Sequence, residues 1–426
     1  MTNGSPIRPI QTTGRYLVLL PEGEESSRGM TALRSSTGTG EIDDSAVSNL
    51  GVAVVDLDPD RLESLNAAVA GTQPILAVEP EQIMYAIAST VIDGDTVKYL
   101  QGYKEGVNDL VDNLSNGGIT PEQQLITSDF SDGTTATWGL EATKVLESNF
   151  SGSGIKVAVL DTGLDLTHPD FADRTITERS FISGEAVQDR NGHGTHCIGT
   201  ACGPLSPPDS SSSRRYGVAY NAEIFAGKVL SNQGSGADGG ILAGIDWAVN
   251  NGCQIISMSL GAPTRPGDAF SPIYEEVAKR ALSRGTLIIA AAGNDSRDFS
   301  GRRRIPPKPV SRPANCPSIM AVAALDNQLQ VASFSNGSIN PEGGQIDIAG
   351  PGVDVYSSWP VPTRYRTISG TSMATPHVAG IAALYAEATG ARGFELWAAL
   401  MRDARRLALS SADAGIGLVQ APVRSS

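Results

Sequence analysis

From Trp138 onward, short apolar segments alternate with segments of helical spacing that are rich in Ala and Gly. Nearly continuous apolar strands separated by helices are typical of a parallel sheet that is covered on both faces. We therefore predict a doubly wound, mostly parallel α/β domain. The predicted strands are Ile155 to Leu160, Ile224 to Val229, Ile255 to Leu260, Leu287 to Ala291 and Ile319 to Ala323, and the clearest helices are Gly239 to Asn250 and Tyr274 to Arg284.

The first part of the chain has a different pattern, in which a few strand-like and helical segments predict a small α+β unit. The strand-like segments are Arg15 to Pro21, Leu50 to Leu57 and Pro74 to Ile87, the last being a closing strand or a hairpin. The helical segments are Met30 to Ser36 and Pro59 to Ala70, the second capped by Asp58.

These patterns divide the chain into four predicted parts. Residues 1–13 form a tail, residues 14–88 the small α+β domain, and residues 138–423 the α/β domain. Residues 89–137 form a linker that is rich in Gly, Ser, Thr and Asp and contains a candidate helix, Val97 to Leu114.

The charge of the chain excludes some classes of partner. Of the 426 residues, positions 1–134 hold 7 Lys and Arg against 20 Asp and Glu, and the net charge of the whole is -14. An acidic excess argues against a nucleic-acid partner. No apolar run approaches the roughly 18 residues of a membrane helix, and the first residues lack the pattern of a signal peptide. We expect no membrane partner, and a cytoplasmic location or export without a classical signal peptide.

The four cysteines are too few and too scattered for a disulfide framework in a chain of this length. None belongs to a CxxC pair, so the pattern favours free thiols over zinc or redox sites. They are Cys197, Cys202, Cys253 and Cys316.

Polar residues follow apolar strands or begin helices at four places, where functional groups of α/β sheets gather. Asp161 and Asn294 follow strands, and each by itself could be a turn residue. Ser372 precedes a small-residue helix, where a capping role is the commoner one. His193 stands between two glycines at a helix start, and a metal site shared with His196 lacks an obvious third ligand.

Three motifs together carry a resemblance to a known family. They are Asp161-Thr162-Gly163, Asn191-Gly192-His193-Gly194-Thr195-His196 followed by Cys197, and Gly370-Thr371-Ser372-Met373-Ala374-Thr375-Pro376-His377. In these motifs and their order the chain resembles the subtilisin-like serine proteases from about Trp138 to Ala421, with a cysteine after the histidine motif as in proteinase K.

The resemblance implies a role for each of these side chains. Asp161 orients the imidazole, His193 is the general base and then acid, and Ser372 is the nucleophile. The side chain of Asn294 and the backbone N–H of Ser372 form the oxyanion hole.

The resemblance also implies a cleft in which an extended polypeptide substrate lies between two segments as an added strand. The residues of these segments, with two more beside the pocket for the residue before the cleaved bond, are Gly234, Ser235, Gly236, Ser259, Leu260, Gly261, Ala292 and Gly293.

The expected function is a serine endopeptidase that acts on polypeptides through an acyl-enzyme. The N-terminal domain resembles a propeptide, which implies a zymogen inhibited by its own N-terminal domain and cut between residues 85 and 138. The alternatives are a permanently attached accessory domain, a catalytically silent binding protein with the same fold, and an esterase, for which the GxSxG motif is missing around Ser372.

No cofactor is expected for the chemistry, and no metal ligand is assigned. A structural calcium ion stays open, because Gly203 to Arg215 lacks the short Asn-containing loop that holds calcium in secreted relatives. The insertion Ser296 to Arg312 contains three consecutive arginines, Arg302 to Arg304, and is interpreted as a solvated loop. A second interpretation is a contact with the acidic N-terminal part or with acidic substrates.

Overall fold

A computed structural model describes residues 10–37, 48–56, 75–87, 130–208, 214–298 and 300–423, with the single positions 62 and 69. The predicted helix Val97 to Leu114, nearly all of Pro59 to Ala70 and most of the predicted tail and linker therefore lie outside the described residues.

The N-terminal unit, described within residues 10–87, is a small antiparallel sheet with one helix against it. Strand β1 (Thr12–Leu19) pairs with β2 (Val52–Asp56) on one side and with β3 (Ala77–Ala86) on the other. Helix α1 (Ser26–Thr37) starts four residues before the predicted Met30, directly after a short 3-10 turn. Residues 74–87 contain one strand and no hairpin in their described part.

A seven-stranded sheet occupies the centre of the α/β unit, and all of its neighbouring strands are parallel, as predicted. Its strands are β4 (Lys156–Asp161), β5 (Ile176–Ser180), β6 (Glu223–Lys228), β8 (Ile255–Met258), β10 (Leu287–Ala291), β11 (Met320–Leu325) and β12 (Ile348–Pro351), in the spatial order β12-β11-β10-β8-β4-β6-β5. Two short strands, β7 (Ser235–Ala237) and β9 (Leu260–Gly261), lie outside this sheet.

Helices cover both faces of the sheet, which explains why its inner strands are apolar on both sides, whereas the edge strand β5 is polar and largely exposed. Along β4, Ala158 and Leu160 belong to the core on one face, whereas Val157 and Val159 belong to the core on the other. The first core includes helices α4 (Asp238–Asn250) and α5 (Pro272–Ser283), and the second includes α3 (His193–Cys202) and α6 (Thr371–Thr389). The remaining helices are α2 (Trp138–Ala142), α7 (Gly393–Asp403) and α8 (Ser411–Ala414), and strands β13 (Val355–Ser358) and β14 (Tyr365–Ile368) form a hairpin.

The N-terminal unit packs on α4 and α5 through an apolar face. Leu17, Leu19, Leu50, Val52 and Met84 are buried in the same core as these two helices. The two units therefore share one hydrophobic core, and strand β3 runs from the small sheet into the α/β unit.

All four cysteines are free, as predicted, and all four are buried. Among the described residues, no helix is both long enough and apolar enough to cross a bilayer.

Candidate active site

Asp161 and His193 meet at the carboxyl end of β4, where the sheet pattern places functional groups. Asp161 is the last residue of β4, and His193 is the first residue of α3. The Nδ1 of His193 lies 2.8 Å from Oδ1 of Asp161, which also accepts the N–H of Thr162 at 2.7 Å. The carboxylate is thereby held in one orientation and supports the imidazole from its Nδ1 side.

A glycine at the start of α3 lets the chain pass under an aromatic ring. Gly192 has φ of +102°, and a Cβ at this position would lie 2.4 Å from the ring of Trp359. Only glycine fits this combination of left-handed backbone and close contact without strain. The glycine before His193 therefore serves the packing of the helix start.

The environment of His193 favours its charged form. Burial by itself disfavours an imidazolium, but the negative charge and hydrogen bond of Asp161, together with Cys197, outweigh this effect. The pKa of His193 is therefore raised well above its ordinary value of 6.5.

A second histidine of the same helix has a structural role. His196 donates from Nε2 to the carbonyl oxygens of Val355 at 3.0 Å and Arg366 at 3.1 Å. Its burial, together with the nearby His193, lowers its pKa to about 3, so the ring is neutral. It holds the β13–β14 hairpin against α3 and contributes no ligand to a metal cluster in the described part of the chain.

Ser372 is the second residue of α6, and its hydroxyl faces the end of β3. The Oγ donates to the carbonyl oxygen of Ile87 at 2.6 Å and to that of Ser259 at 3.2 Å. The Nε2 of His193 is buried and has no hydrogen-bond partner within the described ranges. The thiol of Cys197 lies 3.9 Å from Nδ1 of His193 and 3.6 Å from the carbonyl oxygen of Ser372, so one buried side chain contacts both residues.

Asn294 directs its amide at the same carbonyl group. Its Nδ2 donates to the oxygen of Ile87 at 2.8 Å, while its Oδ1 accepts from the N–H and the hydroxyl of Thr371, both at 2.9 Å. A Cβ added to Gly370 would lie 3.2 Å from the oxygen of Ile87 and 3.5 Å from the backbone nitrogen of Ser372. The Ile87 oxygen thus sits between an amide donor and the N-terminus of α6.

Strand β3 lies between the two segments that the sequence singled out as a substrate cleft. On one side Tyr85 pairs with Ser235, Met84 pairs with Gly236, and the N–H of Ala86 donates to the carbonyl oxygen of Gly234 at 2.8 Å. The pairing of β3 with β7 on this side and its pairing with β9 on the other are both antiparallel.

On the other side of β3, Tyr85 pairs with Gly261 and Ala86 pairs with Leu260. The N–H of Ile87 donates to the carbonyl oxygen of Ser259 at 3.2 Å. Six of the eight predicted substrate-binding residues therefore contact one extended segment of the chain itself.

The other two, Ala292 and Gly293, lie beside Asn294 and bind neighbouring loops. Ala292 accepts the N–H of Ser311 at 2.8 Å, and the N–H of Gly293 donates to the hydroxyl of Thr371 at 3.2 Å. The structure does not pair either residue with β3 within the described ranges.

Sequence reasoning missed two residues that position these groups. Asp189 accepts from the hydroxyl of Thr162 at 3.0 Å and from the N–H groups of Gly192 and Thr195, each at 2.9 Å. It joins the strand that carries Asp161 to the helix that carries His193. An acid shortly before a helix start is a capping signal and could have identified Asp189. The second missed residue is Thr371, whose N–H and hydroxyl hold Oδ1 of Asn294. The sequence offers no signal for it beyond its place beside Ser372.

One buried group of three metal-ligating side chains occurs in the described part of the chain, namely Asp161, His193 and Cys197, with ligand atoms within 4.8 Å of one another. Calcium takes six to eight oxygen ligands, and this set offers one carboxylate, one imidazole and one thiol. The group does not fit calcium.

Comparison with known proteins agrees with this geometry. Residues 152–419 match the model of the subtilase family. The alkaline protease of Alkalihalobacillus alcalophilus is 42% identical over 251 residues, which cover 58% of this chain and 58% of that protein. Subtilisin Savinase of Lederbergia lenta is also 42% identical over 251 residues, covering 82% of its length. Subtilisin DY of Bacillus licheniformis is 38% identical over 246 residues, covering 81%. The match thus spans somewhat over half the length of the alkaline proteases.

Proposed function

The chain belongs to the subtilase family, and from this premise we propose that it is a serine endopeptidase made as a self-inhibited zymogen. In this proposal Ser372 is the nucleophile, His193 the base, Asp161 the residue that orients the base, and Asn294 an oxyanion donor. The substrates are polypeptides that bind as an extended strand.

The proposed reaction uses these side chains alone. The Oγ of Ser372 forms a bond to the substrate carbonyl carbon while its proton moves to Nε2 of His193. The C–N bond then breaks, and the leaving amine takes the proton from His193. A water molecule then attacks the acyl-enzyme, and His193 takes its proton and returns it to Oγ of Ser372. The carboxylic acid product is released. During both steps the amide of Asn294 stabilises the negative charge on the oxygen.

The observation that carries the proposal is the position of Ile87. Its carbonyl oxygen lies 2.8 Å from Nδ2 of Asn294 and 2.6 Å from Oγ of Ser372, at the end of a strand that is paired on both sides. These contacts support a substrate-like placement of residues 83–87. They favour the peptide bond after Ile87 as the bond that the chain cuts in itself.

The placement also supports inhibition by the N-terminal unit. While β3 occupies the cleft, another polypeptide cannot pair with Gly236 and Gly261. The cut product would keep the same pairing, so it would continue to block the cleft until the N-terminal unit dissociates. A catalytically silent binding protein is not favoured, because Ser372 and Asn294 both bind one carbonyl group while Asp161 and His193 form the acid–base pair beside them.

The test is N-terminal sequencing of the purified chain after incubation, beside a Ser372→Ala variant. We expect a new N-terminus at Ala88 in the wild type and an uncut variant. A serine-directed phosphonate should label the cut wild type once its N-terminal fragment has been removed and leave the variant unlabelled. An active enzyme without any cut between residues 85 and 138 would contradict the zymogen, and the absence of both labelling and peptide cleavage would contradict the protease.

The proposed chemistry needs no metal. Ser372, His193, Asn294 and a water molecule handle every bond and proton of the proposed steps.

A further inference from the structure

A carboxylate-binding site lies on the α/β unit, upstream of the cleft. We define it as the Arg312 site: the hydroxyl of Ser271, the N–H of Ile273 and the guanidinium of Arg312. We propose that this site binds an acidic side chain of polypeptide substrates and so selects substrates with an acid at one upstream position. The inference rests on the proposed endopeptidase function.

The site already holds a carboxylate of the chain itself. Both oxygens of Glu79 accept from the hydroxyl of Ser271 at 2.8 Å. One oxygen also accepts the N–H of Ile273 at 3.2 Å, and the other accepts Nη1 of Arg312 at 2.9 Å. All of these donors belong to the α/β unit, and together they form a charge-assisted set of the kind that binds carboxylates strongly.

The site is built into the fold. Arg312 is 8% exposed, and its Nη2 donates to Asp238 at 3.1 Å, while its Nε has no partner in the described part of the chain. Ser271 caps helix α5 by accepting the N–H of Tyr274, so the positive end of that helix faces the ligand. Apart from Glu79 and the N–H of Gln82, the groups that hold the site belong to α4, α5 and the loop that carries Arg312.

Asp238 faces this site from α4 and pairs with Nη2 of Arg312, so Nη1 is the nitrogen that meets Glu79. Oδ1 of Asp238 accepts the hydroxyl of Tyr274 at 2.9 Å. Oδ2, which accepts from Arg312, also accepts the N–H of Gln82. Arg312 therefore serves two carboxylates, one with each terminal nitrogen. When Glu79 leaves, Nη1 loses this partner, and a substrate carboxylate can restore the charge-assisted bond.

Within the residues that the structure describes, the neighbouring Glu81 makes a single hydrogen bond to the α/β unit. Glu81 accepts the N–H of Gly239, the second residue of α4, at 3.1 Å. Its remaining bonds are made to Arg15 and Thr13 of the N-terminal unit. A substrate peptide brings no equivalent of these partners, so the selective position is that of Glu79.

The register follows from β3. Glu79 precedes Ile87 by eight residues in the sequence, and both belong to or adjoin one continuous extended segment, Ala77–Ala86. Residues 83–86 pair with β7 and β9, and the N–H of Gln82 donates to Asp238 of α4, whereas residues 77–80 pair with β1 of the N-terminal unit. A substrate that keeps the contacts of residues 82–86 and continues as an extended strand places the eighth residue before the attacked carbonyl at the Arg312 site. Extending the strand by one residue turns that side chain to the opposite face.

The test compares peptides on the enzyme that results from self-cleavage of the full chain, purified away from its N-terminal fragment. The parent peptide has the sequence of residues 77–90 with Glu81→Gln, and three others carry Glu79→Gln, one residue inserted after position 82, or a truncation to residues 82–90. Mass spectrometry verifies cleavage after the residue equivalent to Ile87. We expect Glu79→Gln to raise KM about tenfold with little change in kcat, and the insertion to have the same effect.

Two enzyme variants, each lacking one positive charge, distinguish binding at the Arg312 site from a general electrostatic attraction of acidic peptides. Arg312→Gln should abolish the preference for Glu over Gln at the upstream position. Arg302→Gln removes an exposed arginine of the basic insertion and should keep the preference. If Arg312→Gln does not fold, the peptide series on the unaltered enzyme decides.

Equal KM values for the parent and Glu79→Gln peptides would overturn the inference, as would a preference that survives the one-residue insertion. Loss of the preference in Arg302→Gln alone would assign it to the basic insertion. Cleavage of the truncated peptide without any upstream preference would leave the endopeptidase standing and remove the Arg312 site, whereas no cleavage of any peptide would overturn both.

Discussion

Replacing Asn294 with alanine tests the core of the proposed mechanism with the chain's own cleft occupant as the substrate. In the full chain the Ile87 carbonyl is already seated, with Nδ2 of Asn294 at 2.8 Å and Oγ of Ser372 at 2.6 Å. The rate of self-cleavage after Ile87 therefore contains no step of substrate binding. It reports the loss of transition-state stabilisation directly.

The expected size of the effect follows from what holds the amide. Asn294 supplies one donor to the developing oxyanion, and loss of such a donor costs about 3 kcal/mol in subtilisin, a relative of this chain. That corresponds to a rate about 100-fold lower. Thr371→Val removes one of the two donors that orient Oδ1, at 2.9 Å, and leaves the N–H of residue 371 in place. A net loss of about 1 kcal/mol, or about fivefold in rate, is expected.

Cell-free synthesis with a labelled amino acid provides uncut chain at the start of the reaction. Samples quenched in acid are separated on gels, and the loss of the full-length band gives the rate. Ser372→Ala is the uncut reference, and thermal unfolding of Asn294→Ala in that background checks that the fold is kept. Cleavage of Asn294→Ala at the wild-type rate, or a loss no larger than that of Thr371→Val, would refute the assigned role.

Three further predictions concern single side chains. Because neutral His193 is required and Asp161 raises its pKa, kcat/KM on a short peptide should rise with pH with a midpoint above 6.5, and Asp161→Asn should lower that midpoint; an unchanged pH profile would contradict the pairing. Gly370→Ala places a Cβ 3.2 Å from the oxygen of Ile87 and should lower kcat about tenfold at an unchanged unfolding temperature; equal kcat would show that the oxygen sits elsewhere. Burial raises the pKa of Asp347 to about 7 from 3.8, so the unfolded chain releases this proton at lower pH than the native chain and stability falls as pH rises between these values. Asp347→Asn should therefore raise the unfolding midpoint by about 4 °C near pH 8 and have little effect near pH 4; calorimetry that finds the same gain at both pH values would refute the burial argument.

Local patterns were sufficient for the inner strands of the α/β unit, whereas the two edge strands of its sheet, β5 and β12, and the β13–β14 hairpin were not predicted. The strands at 156–161, 223–228, 287–291 and 320–325 agree with the predicted segments within one or two residues. Apolar runs that alternate with helices fit a sheet with helices on both faces, so this alternation predicts a covered parallel sheet. The predicted strand Ile255 to Leu260 is the exception, because it is interrupted at Ser259, whose carbonyl oxygen turns to Ile87 and Ser372.

The sequence also indicated which side chains carry the chemistry, because Asp161, His193 and Ser372 lie in short motifs whose residue types and order are specific. The motifs determine which groups are present at strand ends and helix starts. They do not determine which other groups face them.

Tertiary structure alone decided the contacts between distant segments. The carbonyl of Ile87 lies against Ser372 across 285 positions of sequence, and Glu79 meets Arg312 across 233. The basic insertion was interpreted mainly as a solvated loop, yet its last residue binds the acidic N-terminal unit. Such pairings depend on how helices and strands pack over the whole core, and a local pattern of apolar and polar residues contains no information about which distant surface a side chain will face.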